Sequence, residues 1–217
     1  QSRSSAASDV YKRQTLDLRT GILREHRRDD LITMSTAVPY LTDAKLGMWD
    51  DFIADIVNGD PDFAEYLQRT AGASLSGVLV EFIFFAYGKP LTGKTTLLQA
   101  LGGVLGDFCK TADFETFLKR PPTGGPRSDL ARLRGARMVK AVEVGDGRAL
   151  AEGLLKLITG GDTLTVRDMY AKEFEYQPQF TLWLAANDAP AARNDDDALW
   201  RRLKRLPFVH EFSAPDE

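Results

Sequence analysis

Apolar residues recur along this chain at two spacings, one typical of helices and one of buried strands. Helical spacing begins at Leu46 and resumes after the Gly59-Asp60-Pro61 break, which predicts two short amphipathic helices. Residues 78–87 are dense in β-branched and aromatic residues and end at Gly88, so they predict a buried strand of a parallel sheet. A helix is predicted directly afterwards, over residues 95–105, with four leucines on one face.

The remainder of the chain continues this alternation of strands and helices. A strand-and-turn pattern starts at Thr15, and the proline- and glycine-rich residues 120–127 predict a loop. The later predicted elements are strands over 137–143, 163–167 and 180–186 and a helix over 149–158. Strands that alternate with helices after a glycine loop predict a three-layer α/β domain.

Composition and charge narrow the class of protein. The 217 residues carry a net charge of -3 and a single cysteine, and no apolar run approaches the roughly 20 residues that span a bilayer. We therefore expect no membrane segment and no internal disulfide. Residues 43–65 are strongly acidic, whereas residues 110–140 carry an excess of bases. The basic stretch is either a phosphate-facing surface or a solvated face.

The segment 88–95 reads GKPLTGKT and matches the phosphate-binding pattern G-x-x-x-x-G-K-[ST]. A predicted strand precedes it and a predicted helix follows it, which is the context that this pattern requires. The loop glycines allow the backbone to wrap around phosphate oxygens, and the positive end of the helix points at them. The predicted nucleotide-binding residues are Gly88, Lys89, Pro90, Leu91, Thr92, Gly93, Lys94, Thr95 and Thr96. Lys94 is expected to reach the outer phosphates of ATP, and the Thr95 hydroxyl to ligate Mg²⁺.

Polar residues end two of the predicted strands, where the ligand crevice of an open α/β sheet lies. Glu143 is a candidate for polarising the attacking water and for holding Mg²⁺, with Asp146 as a weaker second candidate. Asn187 is a candidate for contacting the γ-phosphate or orienting the water. The competing interpretations are an ordinary acid at a strand end and a turn asparagine.

Adjacent arginines follow an acidic run near the end of the chain. Arg201 or Arg202 is a candidate for stabilising charge in phosphoryl transfer across a subunit boundary. A solvated basic helix face is the alternative.

In this order and spacing, the motifs resemble the superfamily 3 DNA helicases, in the branch of phage and plasmid primase-helicases with poxvirus relatives. The most specific part of the resemblance runs from LKLITGGD at 155–162 through TLTVRDMY at 163–170 to PQF at 178–180. The resemblance implies an AAA+-like P-loop NTPase in which this region forms a hairpin that touches single-stranded DNA. It assigns DNA contact to Arg167 and Lys172, the acid of the second nucleotide motif to Glu143, the polar sensor to Asn187 and the finger acting in trans to Arg201 or Arg202.

By the same resemblance, the chain is expected to be an ATP-driven DNA helicase motor that acts as a homo-oligomer, in a hexameric ring, in the cytoplasm. Residues 1–14 are expected to be a non-native linker, 15–77 an N-terminal strand, turn and helical prefix, and 78–217 an ATPase core truncated at its C-terminal end. Thr92 stands where many relatives have asparagine, and Lys140 interrupts a strand that is usually apolar. A P-loop phosphotransferase and an ATP-gated assembly module without turnover remain as alternatives.

Overall fold

A computed structural model describes residues 14–36, 38–120, 127–143, 149–189 and 197–213. Its strands are β1 Gln14–Asp17, β2 Ile22–Glu25, β3 Ile83–Tyr87, β4 Cys109–Thr111, β5 Met138–Val142, β6 Leu164–Arg167, β7 Glu173–Tyr176, β8 Thr181–Ala186 and β9 Leu203–Pro207. Its α-helices are α1 Met48–Ile56, α2 Pro61–Ser76, α3 Lys94–Leu105, α4 Ser128–Ala131, α5 Glu152–Gly160 and α6 Asp197–Arg202. Short 3₁₀ turns lie at Arg28–Asp30, Gly106–Phe108 and Phe114–Phe117.

The centre of the molecule is a five-stranded parallel sheet in the order β4-β5-β8-β3-β9. The two middle strands are almost wholly apolar: all six residues of β8 and the first four of β3 are buried. A strand with this composition needs cover on both faces, as parallel strands generally have. The sheet therefore lies in the interior, and its ends are the parts that reach solvent.

Each face of the sheet carries its own layer of helices and its own apolar core. Phe84, Trp183 and Met138 point to the side covered by α1, α2 and α3. Phe85 and Leu184 point to the opposite side, which is covered by α5, α6, the 3₁₀ turn at Phe114–Phe117 and the β6–β7 pair. The prediction of a three-layer α/β domain is confirmed.

The two predicted amphipathic helices are present as α1 and α2. The Asp60 carboxylate accepts hydrogen bonds from the backbone N–H groups of Asp62 and Phe63, at 3.0 and 3.1 Å, which caps α2. Pro61 occupies the first turn, where its missing N–H costs nothing. Farther along, the Trp183 indole N–H donates to the Ser74 hydroxyl over 2.9 Å and attaches α2 to the sheet.

The strand predicted over residues 78–87 is too long, because β3 begins only at Ile83. Ile83 pairs with Leu182, the second residue of β8, and with Leu203, the first residue of β9, so residues before Phe82 have neither strand beside them. Val78 is 66% exposed and Phe82 40% exposed. The helix predicted over 149–158 also shifts, to Glu152–Gly160. In both cases the apolar pattern was correct, but neighbouring elements set the boundary.

Lys140 does not disturb the register of β5. Its side chain is half-buried and its Nζ donates to the Leu98 carbonyl oxygen of α3 over 3.2 Å. Gly102 makes room for it, since a Cβ built there would lie 2.8 Å from Lys140 Nζ. A glycine on the facing helix therefore allows a lysine within an otherwise apolar strand.

Candidate nucleotide-binding site

The predicted phosphate-binding loop lies between the end of β3 and the start of α3, at the carboxyl edge of the sheet. Gly88 has φ +150°, and a Cβ built on it would lie 2.1 Å from the Phe208 carbonyl oxygen. Gly93 has φ +85° and a Cβ there would lie 2.7 Å from Ile56. Both positions exclude a side chain, so the loop glycines are required by space as well as by backbone conformation.

The Lys94 ammonium lies within this loop and is only 7% exposed as a residue. Its Nζ donates to the carbonyl oxygens of Gly88 and Lys89, each at 2.6 Å, and to the Thr92 hydroxyl at 3.0 Å. Burial lowers the pKa of Lys94 below its usual value. The cation is thus held against loop oxygens in a partly desolvated position, where its attraction for an anion is stronger than in bulk water.

Thr92 and Thr95 have different surroundings in the loop. Thr92 is buried, and its hydroxyl donates to the Lys89 carbonyl oxygen over 2.8 Å while it accepts from Lys94. A threonine in place of asparagine therefore serves to brace the loop. Thr95 and Thr96 are exposed in the first turn of α3, where unpaired backbone N–H groups and the helix dipole favour negative charge.

The sheet register brings Glu143 and Asn187 to the same edge as the loop. Val142 pairs with Ala185 and Ala186 pairs with Tyr87, so Glu143, Asn187 and Gly88 directly follow the ends of three adjacent strands. The Glu143 N–H donates to the Ala185 carbonyl oxygen over 2.8 Å. A cleft of about 340 Å³ is lined by Pro90, Leu91, Thr92, Gly93, Lys94, Thr95, Thr96, Val142, Glu143, Ala185, Ala186 and Asn187. Asp146 lies outside the described residues.

The donor set fits a magnesium nucleotide better than a metal cage made only of protein groups. Within the described ranges, no group of three or more His, Cys, Asp or Glu side chains is arranged to hold a metal ion. Mg²⁺ commonly binds through one or two protein ligands together with substrate phosphates and water. Thr95 and Glu143 at the cleft suit that mode of binding.

Arg201 and Arg202 are absent from the lining of this cleft. They end α6 immediately before β9, whose first residue, Leu203, pairs with Ile83 at the amino edge of the sheet. The length of β9 separates that edge from the loop by roughly 15 Å. Arg201 is exposed, whereas Arg202 is half-buried and its guanidinium donates back to the Ala198 carbonyl oxygen over 3.2 Å. Neither arginine is placed to act on the cleft of its own chain.

Arg167 and Lys172 lie on the antiparallel hairpin formed by β6 and β7, apart from the cleft. Both are exposed, and Arg167 pairs in register with Glu173. At the tip, Tyr170 is 100% exposed with φ +61°. Toward its base the hairpin is fixed to the core, because the Tyr176 hydroxyl donates to the Leu130 carbonyl oxygen over 2.7 Å. A hairpin is therefore present in the region that the resemblance singled out, with its strands packed on the core and its turn exposed.

The basic stretch 110–140 is less available to an external anion than its charge suggests. Arg120 and Arg127 both pair with Asp129, at 3.1 and 3.0 Å. Arg137 donates to the Leu75 carbonyl oxygen and stacks over Phe108. Residues 121–126 of the predicted loop lie outside the described part of the chain. Several of these basic side chains therefore bind groups within the protein, which leaves them less available to an external phosphate.

A larger cleft, of about 570 Å³, lies between α1, α2 and α3. Its lining is mostly apolar and includes Trp49, Ile53, Leu97, Leu101 and Trp183. It contains no part of the phosphate-binding loop. Size alone therefore does not select the candidate nucleotide site, which was predicted from the loop and the strand ends.

Sequence reasoning missed the residues that support the loop from behind. Phe52 of α1 and Phe212, beyond β9, both lie against Gly93. These residues are 41 and 119 positions from Gly93 along the chain, and neither belongs to a recognisable motif. No signal in the sequence pattern could have placed them there.

Across the described ranges, no helix combines the length and the apolar character needed to cross a bilayer.

Two protein families match the chain. The family described as "D5 N terminal like" matches residues 11–58. The family described as "Family of unknown function (DUF5906)" matches residues 86–202, more than half of the chain. The second match includes the phosphate-binding loop, Glu143, Asn187 and both candidate finger arginines.

Several curated viral proteins are similar in sequence. "Putative helicase L207/L206" of Acanthamoeba polyphaga mimivirus is 31% identical over 95% of this chain and 22% of its own length. "Putative helicase 022R" of Frog virus 3 is 28% identical over 76% of this chain and 17% of its own length. "Primase D5" of Fowlpox virus is 24% identical over 69% of this chain and 19% of its own length. The chain thus spans about a fifth of the length of these relatives.

Solved structures share the fold. The C-terminal region of NrS-1 superposes with a TM-score of 0.64 at 15% identity, over 91% of this chain and 45% of that one. A structure of JCV helicase superposes with a TM-score of 0.52 at 16% identity, over 78% of this chain and 47% of that one. Together with the loop and the parallel sheet, these likenesses confirm the predicted P-loop NTPase fold.

Proposed function

The chain belongs to the DUF5906 family, among the D5-type primase-helicases, and from this premise we propose that it is the ATP-hydrolysing motor region of a DNA helicase. One observation carries the proposal. The loop 88–95, Glu143 and Asn187 line a single cleft at the carboxyl edge of the sheet. This combination supplies phosphate binding, a carboxylate and a polar sensor side by side, which are the parts that ATP hydrolysis requires.

Binding of the triphosphate depends on the loop and on the start of α3. Backbone N–H groups from Gly93 to Thr96 donate to phosphate oxygens, and the helix dipole adds to their attraction. Lys94 transfers its hydrogen bonds from loop carbonyl oxygens to the outer phosphates. This exchange is favourable because a charged acceptor forms a stronger hydrogen bond than a neutral carbonyl.

Hydrolysis depends on the two strand-end residues. Glu143 accepts a proton from the attacking water, and the Asn187 amide orients that water or contacts the γ-phosphate. Attack breaks the bond between the γ-phosphorus and its bridging oxygen and yields ADP and phosphate. Mg²⁺ bound with the nucleotide would neutralise phosphate charge. The Thr95 hydroxyl and Glu143 would hold the ion.

The proposed partners are single-stranded DNA and further copies of the chain. Arg167 and Lys172 on the exposed hairpin contact DNA phosphates, and hydrolysis moves the hairpin along one strand. Arg201 or Arg202 completes the cleft of a neighbouring copy, because it is too far from its own cleft to act there. A closed ring, hexameric as the resemblance implies, satisfies this head-to-tail arrangement for every copy.

The test is the ATP hydrolysis rate with and without single-stranded DNA, for the wild type, Lys94→Ala and Glu143→Gln, with assembly followed by light scattering. We expect DNA to raise the wild-type rate, and each substitution to lower it by about a hundredfold or more. Glu143→Gln should still bind ATP, whereas Lys94→Ala should not. Glu65→Gln, which changes an exposed carboxylate on α2, is the matched control and should hydrolyse ATP normally.

Each alternative has its own outcome in this experiment. If the assembled protein binds ATP but does not hydrolyse it even when DNA is present, the result favours the ATP-gated assembly module over a motor. Phosphate transfer to a small acceptor favours a phosphotransferase. Normal turnover by Glu143→Gln removes that residue from the proposed chemistry while leaving the loop assignment intact.

A further inference from the structure

Residues 208–212, which we name the strap, run alongside the phosphate-binding loop. The Phe208 N–H donates to the Tyr87 carbonyl oxygen over 2.8 Å, and the Phe212 N–H donates to the Leu91 carbonyl oxygen over 2.9 Å. Between these hydrogen bonds, Lys89 Nζ lies 2.6 Å from Glu211 Oε1. The strap is therefore attached to the loop at three successive points.

The strap meets α1 directly behind Gly93. The three atoms nearest to a Cβ built on Gly93 are Ile56 Cγ2 at 2.7 Å, Phe52 Cε2 at 3.1 Å and Phe212 Cε2 at 3.2 Å. The rings of Phe52 and Phe212 stack with their centroids 6.0 Å apart. We name Phe52, Ile56 and Phe212 the clamp. Since Gly93 directly precedes Lys94, the clamp touches the loop one residue from the phosphate-binding lysine.

The loop between these attachments has an unfavourable backbone conformation. The unfavourable residue is Leu91, which has φ +60° although it carries a side chain, whereas Gly93 adopts φ +85° without strain because it has no Cβ. A non-glycine residue in the left-handed region persists only where its surroundings hold it there. The hydrogen bond from Phe212 to the Leu91 carbonyl oxygen and the packing of the clamp on Gly93 supply that restraint.

The clamp also joins segments that are far apart in the sequence. Phe52 and Ile56 lie in the region that matches the D5 N-terminal family, whereas Gly93 lies in the region that matches DUF5906. Phe212 lies beyond both matches. Contact among the three segments therefore connects the helical prefix to the nucleotide cleft through the back of the loop.

We propose that Phe52 and Phe212 are positioning residues of the nucleotide site, which hold the loop in the conformation that receives the phosphates. This inference rests on the proposed ATP-binding function. If the clamp favours nucleotide binding, linkage requires that bound nucleotide stabilise the clamp to the same extent. The helical prefix then influences nucleotide affinity without contacting the nucleotide.

The test measures the affinity for ADP with Mg²⁺ by calorimetry and the melting temperature for each variant of the full chain. We expect Phe212→Ala to weaken ADP binding about tenfold, within the usual range of coupling between sites. Phe212→Leu retains most of the apolar volume and should lose less ADP affinity. If the alanine variant fails to fold, the leucine variant still allows the measurement. Val209→Ala is the matched control, because Val209 lies on the strap but is 64% exposed. Its ADP affinity should equal that of the wild type.

Two further measurements distinguish a positioning role of these rings from a general loss of protein stability. Because the rings act as a unit, Phe52→Ala combined with Phe212→Ala should weaken ADP binding no more than about the larger single loss. In hydrogen exchange, ADP should increase protection of the Phe212 amide, which donates to Leu91. A lowered melting temperature with unchanged ADP affinity overturns the inference, as do fully additive affinity losses. If the wild type binds no nucleotide, the proposed function fails and the clamp fails with it.

Discussion

The backbone N–H of Gly88 donates a 3.2 Å hydrogen bond to the carbonyl oxygen of Asn187, which ties the start of the phosphate-binding loop to the neighbouring strand end. The same glycine faces the Phe208 carbonyl oxygen on its other side. The loop therefore begins at a backbone position that is enclosed by two strands. Substitution at this position tests the loop without altering any charged group.

Gly88→Ala should destabilise the fold by about 1–3 kcal/mol, because its new methyl group overlaps the Phe208 oxygen. ADP affinity should fall as well, since the loop has to shift. Thermal unfolding and ADP titration measure the two effects. Gly103→Ala is the control: it lies on the exposed side of α3 with open space around it, and should stabilise by about 0.5–1 kcal/mol. Equal behaviour of the two variants contradicts the steric argument.

Tyr176→Phe should weaken the attachment of the hairpin to the core by about 0.5–1.5 kcal/mol, the usual net value of one hydrogen bond. Burial, with a smaller contribution from Asp129, raises the pKa of Tyr176 to about 12 from 10.0. As pH rises above 10, the unfolded chain loses this phenolic proton first. The contribution of Tyr176 to stability is therefore complete below pH 10 and is lost as pH rises toward 12.

Urea unfolding at pH 8 and pH 11 checks this pH dependence. The difference in stability between the wild type and Tyr176→Phe should be smaller at pH 11. Tyr170→Phe, at the fully exposed hairpin tip, removes a hydroxyl that has no contact with the core and should leave the stability at pH 8 close to that of the wild type. A difference that is constant with pH means that burial of Tyr176 in the folded protein does not raise its pKa.

Arg167→Ala and Lys172→Ala should each reduce the salt dependence of single-stranded DNA binding. Each phosphate contact contributes about 0.7 to the slope of log affinity against log salt concentration on a single strand. Fluorescence anisotropy over a range of salt concentrations measures this slope. Arg69→Ala removes an exposed arginine from the acidic α2 and should leave the slope unchanged. A slope that falls equally in all three variants indicates a nonspecific charge effect.

Mixing two inactive variants tests the arginine finger. Lys94→Ala lacks a working loop but retains both arginines, whereas Arg201→Ala retains the loop. If the finger acts across an interface, mixed assemblies contain some complete clefts and regain ATPase activity. We expect Arg201→Ala to complement Lys94→Ala, because Arg201 is exposed while Arg202 bonds to its own helix. Recovery with Arg202→Ala, combined with normal activity of Arg201→Ala, would reverse that assignment.

Much of the fold and most of the candidate nucleotide site were predicted from local sequence patterns. The loop 88–95 is contiguous, so a glycine pattern between a strand and a helix was enough to locate it. Glu143 and Asn187 were identified because each follows an apolar run, and parallel strands end at a common edge. The relatives confirm the resemblance to primase-helicases. The roles of the individual site residues stay predictions.

The sequence by itself determined most of the alternating strands and helices, though not β4 or β9, together with the loop 88–95 and the polar residues at two strand ends, because these depend on short-range periodicity and backbone chemistry. Tertiary structure decided where β3 begins, since only pairing with β8 and β9 limits it to Ile83. It also decided that Lys140 faces the space left by Gly102, that Arg201 lies far from its own cleft, and that Phe52 meets Phe212 behind Gly93. These contacts join residues that are tens of positions apart, and no periodic pattern along a chain encodes which distant side chains share a volume.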